Sequence, residues 1–248
     1  MKNFAFMLLA FFSLSLVSCD KDDDNTPADK TDDVVEIAIR QVKTGQLSTF
    51  EQARTNFINL LTKQEGVSND REYASFFHFN PAQDTSRPVY IGMTQYEDLA
   101  TFQKVGNDIG STAEAGAFFS TFDALVFTAM KPKTAGTEVD LSQVAKSGQI
   151  LEVAVRNLSQ YPNYNQADYE AKLSAFLAVL SQQSGRVAEY QWVSVIDSNI
   201  VVGMTVYENQ QAFFNIASNP AFSNHPDVVA FFAAYPPNMG GEVSTVVK

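Results

Sequence analysis

Cysteine is nearly missing from this chain: among 248 residues there is only Cys19. A single cysteine allows no internal disulfide and no cysteine-built zinc centre. Histidine is almost as scarce. His78 and His225 are the only two, too few for a metal centre built on several imidazoles. Cationic side chains are outnumbered, 17 Lys and Arg against 28 Asp and Glu, for a formal net charge of −11. A chain of that sign repels phosphate backbones, which excludes nucleic acid as a partner. Neither a Gly-x-Ser-x-Gly elbow nor a glycine-rich phosphate loop occurs, so two common signatures of serine hydrolysis and nucleotide binding are missing. What the chain does have is apolar content, 45% of its residues, ample for a core in one or two domains.

The first apolar run, Phe4 to Val17 behind Lys2, reads as a secretory signal, too short and wrongly flanked for a transmembrane anchor. It ends Leu16-Val17-Ser18-Cys19, which resembles a bacterial lipobox. On that resemblance residues 1–18 are a signal peptide and Cys19 carries acyl chains that hold the protein to a membrane. The Asp-rich stretch after Cys19 reads as a disordered tether, residues 19–33. Asp20, Asp22 and Asp24 imitate the start of a calcium loop, but Asn25 and Thr31 stand where it needs Gly and Glu, so no metal is expected there. The Lys-Asp-Asp run resembles the surface-export signal of Bacteroidota lipoproteins. The address this implies is the outer membrane, lipid-anchored and facing outward.

The rest is written twice. Gly92-Met93-Thr94-Gln95-Tyr96-Glu97 recurs as Gly203-Met204-Thr205-Val206-Tyr207-Glu208. Around each copy the same order of elements repeats. Val34 to Arg40 and Ile150 to Arg156 alternate as strands, with Val35, Ile37 and Ile39 on one face and Glu36, Ala38 and Arg40 on the other. An amphipathic helix follows each, the first with a capping region at Ser48-Thr49-Phe50-Glu51. A second strand is aligned at Glu72-Tyr73 and Glu189-Tyr190, the third is the Gly-Met-Thr stretch, and a second helix and fourth strand close each unit. The predicted organisation is α+β: two tandem ferredoxin-like βαββαβ units, residues 34–130 and 150–248, joined by a polar linker, 131–149. One such sheet leaves a face bare, so the two are expected to pack sheet to sheet within one chain.

This order, the aromatic–acidic pair ending strand three and the Ala-Phe of helix two resemble the antibiotic-biosynthesis-monooxygenase group of dimeric α+β barrel proteins. The resemblance implies an intrachain pseudo-dimeric α+β barrel and a chain that is monomeric. The group includes cofactor-free oxygenases, haem-degrading enzymes, isomerases and members without known activity. Haem-degrading relatives use an Asn in strand one, a Trp in helix two and a His near that helix's end. Asn157 and His225 answer two of these, Ile216 stands in the Trp position, and unit one has Gln41 after Arg40. No cofactor is therefore expected, with haem the one possibility kept.

If the fully apolar strand faces meet the helices, the opposite faces point between the sheets. That predicts an interior holding Glu36, Arg40, Tyr90, Thr94 and Tyr96 from unit one. Glu152, Arg156, Tyr190, Trp192, Thr205 and Tyr207 join them from unit two, with His225 near the rim. Two readings of these residues stay open: mutual ion pairs in a filled core, or a pocket whose Arg forks suit a carboxylate and whose rings suit a sugar or aromatic ligand. Glu36 or Glu152 could serve as a general acid or base, and no catalytic residue is assigned. The reading placed first is a surface-anchored lipoprotein with a non-catalytic, small-molecule-binding or accessory role. The alternatives are an enzyme of the monooxygenase or haem-degrading kind using the inter-sheet cavity, and a structural protein with a filled barrel.

Overall fold

The computed structural model describes residues 32–79, 84, 86–138 and 140–248. The signal peptide, Cys19 and the tether up to residue 31 lie outside the described residues. Asp33, given to the tether by the sequence reading, is buried and accepts a hydrogen bond from Gln95 Nε2 at 2.5 Å.

Unit one runs β1 (Val34–Val42), α1 (Leu47–Leu61), β2 (Val67–His78), β3 (Val89–Tyr96), α2 (Leu99–Ile109), α3 (Ala113–Phe119) and β4 (Phe122–Pro132). Unit two runs β5 (Ile150–Asn157), α4 (Gln166–Ser181), β6 (Arg186–Ser194), β7 (Ile200–Tyr207), α5 (Gln210–Ala217), α6 (Pro220–Ser223), α7 (Pro226–Ala234) and β8 (Gly240–Val246). The second helix of each unit is broken where one helix was expected. Thr112 caps a new helix by accepting from Ala115 N. In unit two Pro220 and Pro226 each start a helix behind the caps Asn219 and His225, because proline suits a first helical turn and not an interior. The expected cap at Ser48-Thr49 lies inside α1, which starts behind Gln46 with no side-chain cap.

The strands close into one barrel in the order β1-β3-β2-β8-β5-β7-β6-β4. Each half keeps the ferredoxin-like order, and antiparallel pairings of β2 with β8 and of β4 with β6 join them. The repeat is therefore hydrogen-bonded into a single closed sheet. Pseudo-symmetry extends to the turns. Gly66 and Gly185, with φ of 78° and 90°, accept the N–H of Glu97 and Glu208, each at 2.9 Å. A left-handed φ of this kind favours glycine.

The side-chain faces are the reverse of the sequence expectation. Val35, Ile37 and Ile39 form one buried cluster with Leu151, Val153 and Val155, and so do Ile91, Met93, Val202 and Met204. Those apolar faces fill the lumen. An eight-stranded barrel has an interior only wide enough for side chains, and being ringed by strands it is the driest place in the molecule. The polar faces lie outward, beneath the helices, where the sheet–helix edge admits water. Tyr73 and Trp192 do face inward, and Tyr190 packs against the same cluster. The linker is not simply polar: Leu141, Val144 and Ala145 are buried against the lumen cluster, and Gln95 Oε1 accepts Leu141 N–H at 2.9 Å.

His78 sits on the β2–β8 seam, where its Nδ1 contacts Glu242 Oε2 and Ser75 Oγ donates to the same oxygen at 2.6 Å.

Candidate active site

The charged strand residues come together twice, once under the helices of each unit. In unit two, β5 carries Glu152 and Arg156, β6 carries Glu189 and Gln191, and β7 carries Gly203, Thr205 and Tyr207 on the outer face. Leu173 and Phe176 of α4 and Phe231 and Phe232 of α7 cover them. A cavity of about 20 Å3 remains between, the space of about one water. Phe176 stacks on Phe231 with centroids 5.0 Å apart and planes 13° from parallel, which closes the outer wall.

Three carboxylate contacts define the electrostatics. Tyr207 donates its hydroxyl to Glu152 Oε2 at 2.5 Å. Thr205 donates to Glu189 Oε2 at 2.7 Å and Gln191 Nε2 to Glu189 Oε1 at 2.7 Å. Burial raises both carboxyls above their ordinary range. Glu189 is pushed up to about 7, first by desolvation and then by the neighbouring Glu152 charge, while the Thr205 bond opposes the shift. Glu152 rises by desolvation too, against the pull of Tyr207 and Arg156. Burial lowers the guanidinium of Arg156. Its Nε donates to Tyr235 O at 2.7 Å, and its carbon lies 4.9 Å from the centre of the Phe231 ring. No ion pair joins Arg156 to either glutamate within 4.0 Å among the described residues, so the cation stands near two carboxylates without being consumed by them.

Unit one has the same frame in a different state. Tyr96 donates to Glu36 Oε2 at 2.9 Å, as Tyr207 does to Glu152, and desolvation pushes Glu36 up to about 7. Arg40, however, is tied to Glu72 at 2.7 Å and lies beneath Phe50, Phe118 and Phe122. A Cβ at Gly92 would strike its guanidinium. The ion pair fills the space that stays open in unit two.

The difference rests on one register. Glu72 lies opposite Gly92, whereas Gln191 lies opposite Gly203. The equivalents are thus Glu72 with Gln191 and Asp70 with Glu189. Aligning Glu72 with Glu189 was wrong by two residues. A slip of two keeps every side chain on its own face, so alternation alone cannot detect it. Glu72, Glu189 and Gln191 were missed as site residues because the opposite face of strand two, with Tyr190 and Trp192, was expected to join the site. Tyr90 and Tyr96 pack with the unit-one helix cluster, and Thr94 donates to Asp70 at 3.3 Å. Tyr190 and Trp192 are in the lumen, away from the site. His225 caps α7, its Nδ1 accepting Asp227 N–H at 3.3 Å, and does not line the cavity.

Haem does not fit this site. No histidine, cysteine or methionine lines the cavity, so none of these side chains is placed there to ligate a haem iron. Among the described residues no three His, Cys, Asp or Glu side chains are placed to hold a metal ion.

No protein-family model and no curated sequence matches the chain. Solved structures do share the fold, which is that of the dimeric α+β barrel proteins. An anthrone oxidase-like protein superposes with a TM-score of 0.56 at 10% identity, over 88% of this chain and 92% of that one. A provisionally assigned monooxygenase of Fusobacterium nucleatum gives 0.54 at 11%, over 87% and 93%. A chlorite dismutase variant from Candidatus Nitrospira defluvii gives 0.53 at 10%, over 88% and 92%. At such identity the likeness establishes fold alone. All three names nonetheless describe enzymes, and they overturn the order of readings that put a non-catalytic binding role first. The inter-sheet cavity also falls, because the lumen is filled by the apolar core.

Proposed function

We propose that unit two is the catalytic half of a small acid–base oxidoreductase that works on a planar phenolic or enolic substrate without a bound cofactor. The observation that carries this is the pair Glu152 and Glu189, raised by burial toward neutrality and set beside Arg156 in a phenylalanine-walled pocket. A base is most effective when its pKa lies near the working pH. The pair takes the proton from an acidic CH2 group flanked by aromatic or carbonyl carbons. Arg156 holds the resulting enolate oxygen, since a charge-assisted donor favours the anion. The enolate adds to O2, and loss of water from the hydroperoxide leaves a carbonyl. Each CH2 and O2 thus yield one C=O and one H2O. The substrate ring takes the place of Phe176 against Phe231, so α4 and α7 must part to admit it. The names of the solved neighbours support the reaction class.

The test is oxygen uptake by the purified protein on a panel of anthrones and hydroxylated aromatic ketones. Turnover is expected to rise with pH through about 7, as Glu189 loses its proton. Glu189→Gln is expected to lower kcat by about 10²-fold or more and to flatten that limb. No uptake on any panel member, or uptake indifferent to Glu189→Gln and Glu152→Gln, would sink the reading.

The address is a separate part of the proposal. Cys19 is the chain's only cysteine and follows an apolar run, which supports lipidation and an outward-facing outer-membrane anchor. Cys19→Ala is expected to move the protein from the membrane pellet to the soluble fraction. Unchanged retention would count against the anchor.

A further inference from the structure

The outer wall of the unit-two pocket is made where α4 meets α7, and the two meet mostly through rings. Phe176 lies 5.0 Å from Phe231 and 5.3 Å from Phe232, and Tyr169 lies 5.1 Å from Tyr235, centroid to centroid. Apolar burial is non-directional, so these contacts do little to fix one helix against the other. Across them runs a single side-chain hydrogen bond among the described residues. Tyr235, which ends α7, donates its hydroxyl to Asp168 Oδ2 in the first turn of α4 at 2.7 Å. Lys172 holds the other oxygen of Asp168. The bonds from Lys172 and then Tyr235 keep the Asp168 carboxyl below its usual range. Burial, and then the Asp168 bond, raises the Tyr235 phenol. At neutral pH the acceptor is therefore charged and the donor keeps its proton, which is the stronger kind of hydrogen bond.

The main chain of Tyr235 is fixed elsewhere. Its carbonyl accepts Arg156 Nε at 2.7 Å, its N–H donates to Phe231 O at 2.8 Å, and the Tyr161 hydroxyl donates to the next carbonyl, that of Pro236. Unit one shows which of these features packing can do without. Gln46 and Asn165 precede α1 and α4, and Phe118 and Phe231 take matching places beside Arg40 and Arg156. Thr49 therefore answers to Asp168, and Phe122 to Tyr235. Phe122 packs there without a hydroxyl, and Arg40 Nε has no hydrogen-bond partner. A plain ring suffices to fill the place, so the hydroxyl and the carbonyl bond are particular to the half that keeps a cavity.

We infer that Tyr235 is a positioning residue that latches α4 over the unit-two pocket through Asp168 while its carbonyl keeps Arg156 in place. Release of the hydroxyl lets α4 carry Leu173 and Phe176 away from Phe231. Arg156 stays where it is, because its anchor is the main chain at the end of α7 and not α4. Opening then changes access to the pocket without moving the cation. The inference rests on the unit-two pocket being the substrate site, and not on the reaction proposed for it.

The test uses the purified full chain with Tyr235→Phe, Asp168→Ala and the double variant, each checked by a thermal melt. Amide hydrogen exchange without ligand is expected to quicken about threefold or more over residues 169–177 in all three. The double variant is expected to match the single ones, since both remove the same bond, and exchange in α1 is expected to stay as it was. Titration with 1-naphthol, a planar phenol, followed by its fluorescence, is expected to give a Kd about threefold or more lower in Tyr235→Phe, because the open state is more populated. With any substrate that turns over, KM is expected to fall and kcat to hold. Unchanged exchange in Tyr235→Phe, or fully additive effects in the double variant, would overturn the inference. Quicker exchange with an unchanged 1-naphthol Kd would overturn it too, since the bond would then brace the helix without gating the pocket. So would the absence of 1-naphthol binding in every protein. The expected exchange and Kd changes without any oxygen uptake would support the latch and sink only the reaction.

Discussion

Ile37→Asp is expected to leave no folded protein at neutral pH. Ile37 has 0% exposure and lies in the lumen, opposite Met93 on β3 and Thr128 on β4. Strands surround it, so a carboxylate there reaches neither water nor a cation. An unpaired buried charge costs several kcal/mol after relaxation, against a total stability of about 5–15 kcal/mol for a domain. The neighbouring change Glu36→Leu is expected to be mild. It removes a carboxyl already raised by burial and leaves the Tyr96 hydroxyl without its acceptor, a loss of about 1–3 kcal/mol. Circular dichroism and thermal melts of the two variants decide the matter. A folded Ile37→Asp beside a collapsed Glu36→Leu would mean that the strand faces are the other way round.

Arg40→Ala carries the second largest effect. Glu72 would keep only Arg54, at 3.4 Å and without a hydrogen bond. Breaking a buried pair from one side costs about 3–5 kcal/mol, because the remaining charge stays buried. The guanidinium also leaves a gap among Phe50, Phe118 and Phe122. The loss is pH-dependent in a stated direction. Desolvation already raises the Glu72 carboxyl, and Arg40 is the first influence holding it down. Without Arg40 the carboxyl rises further, so the native state keeps a proton that the unfolded chain releases. The variant therefore regains stability as pH falls through the raised native value, and the gain levels off below the unfolded-chain value of about 4.3. Urea melts at neutral and mildly acidic pH check this. Arg40→Met with Glu72→Met is expected to recover most of the loss at neutral pH, since a packed apolar replacement of a buried pair is often near neutral. Equal losses at both pH values would exclude an uncompensated Glu72 as the cause.

The contrast between the two units explains how much of the site the sequence showed. Glu36, Arg40, Glu152 and Arg156 were legible because strand alternation placed them on one face, and in the structure they do share that face beside Tyr96 and Tyr207. Their destination was not legible. Alternation separates two faces and does not say which one is wetter, and closure of the barrel reversed the answer. Glu189 and Gln191 were hidden because the aromatic face of their strand, Tyr190 and Trp192, was expected to share the site. A signal existed in the Gly92 and Gly203 positions: Arg40 fills the space a side chain would take at Gly92, and Gln191 fills it at Gly203. Reading it required the cross-strand register.

The sequence by itself determined the repeat, the βαββαβ order of each half and the shared strand face of Glu36 with Arg40 and of Glu152 with Arg156. Each of these rests on local periodicity or on residues at fixed short spacing. The tertiary structure alone decided that the two sheets join edge to edge through β2–β8 and β4–β6, that the apolar faces line the lumen, and that unit two keeps a cavity where unit one is plugged by Arg40 and Glu72. Those outcomes depend on contacts between segments far apart in the chain, where burial free energy and hydrogen-bond register, not spacing, choose the partner.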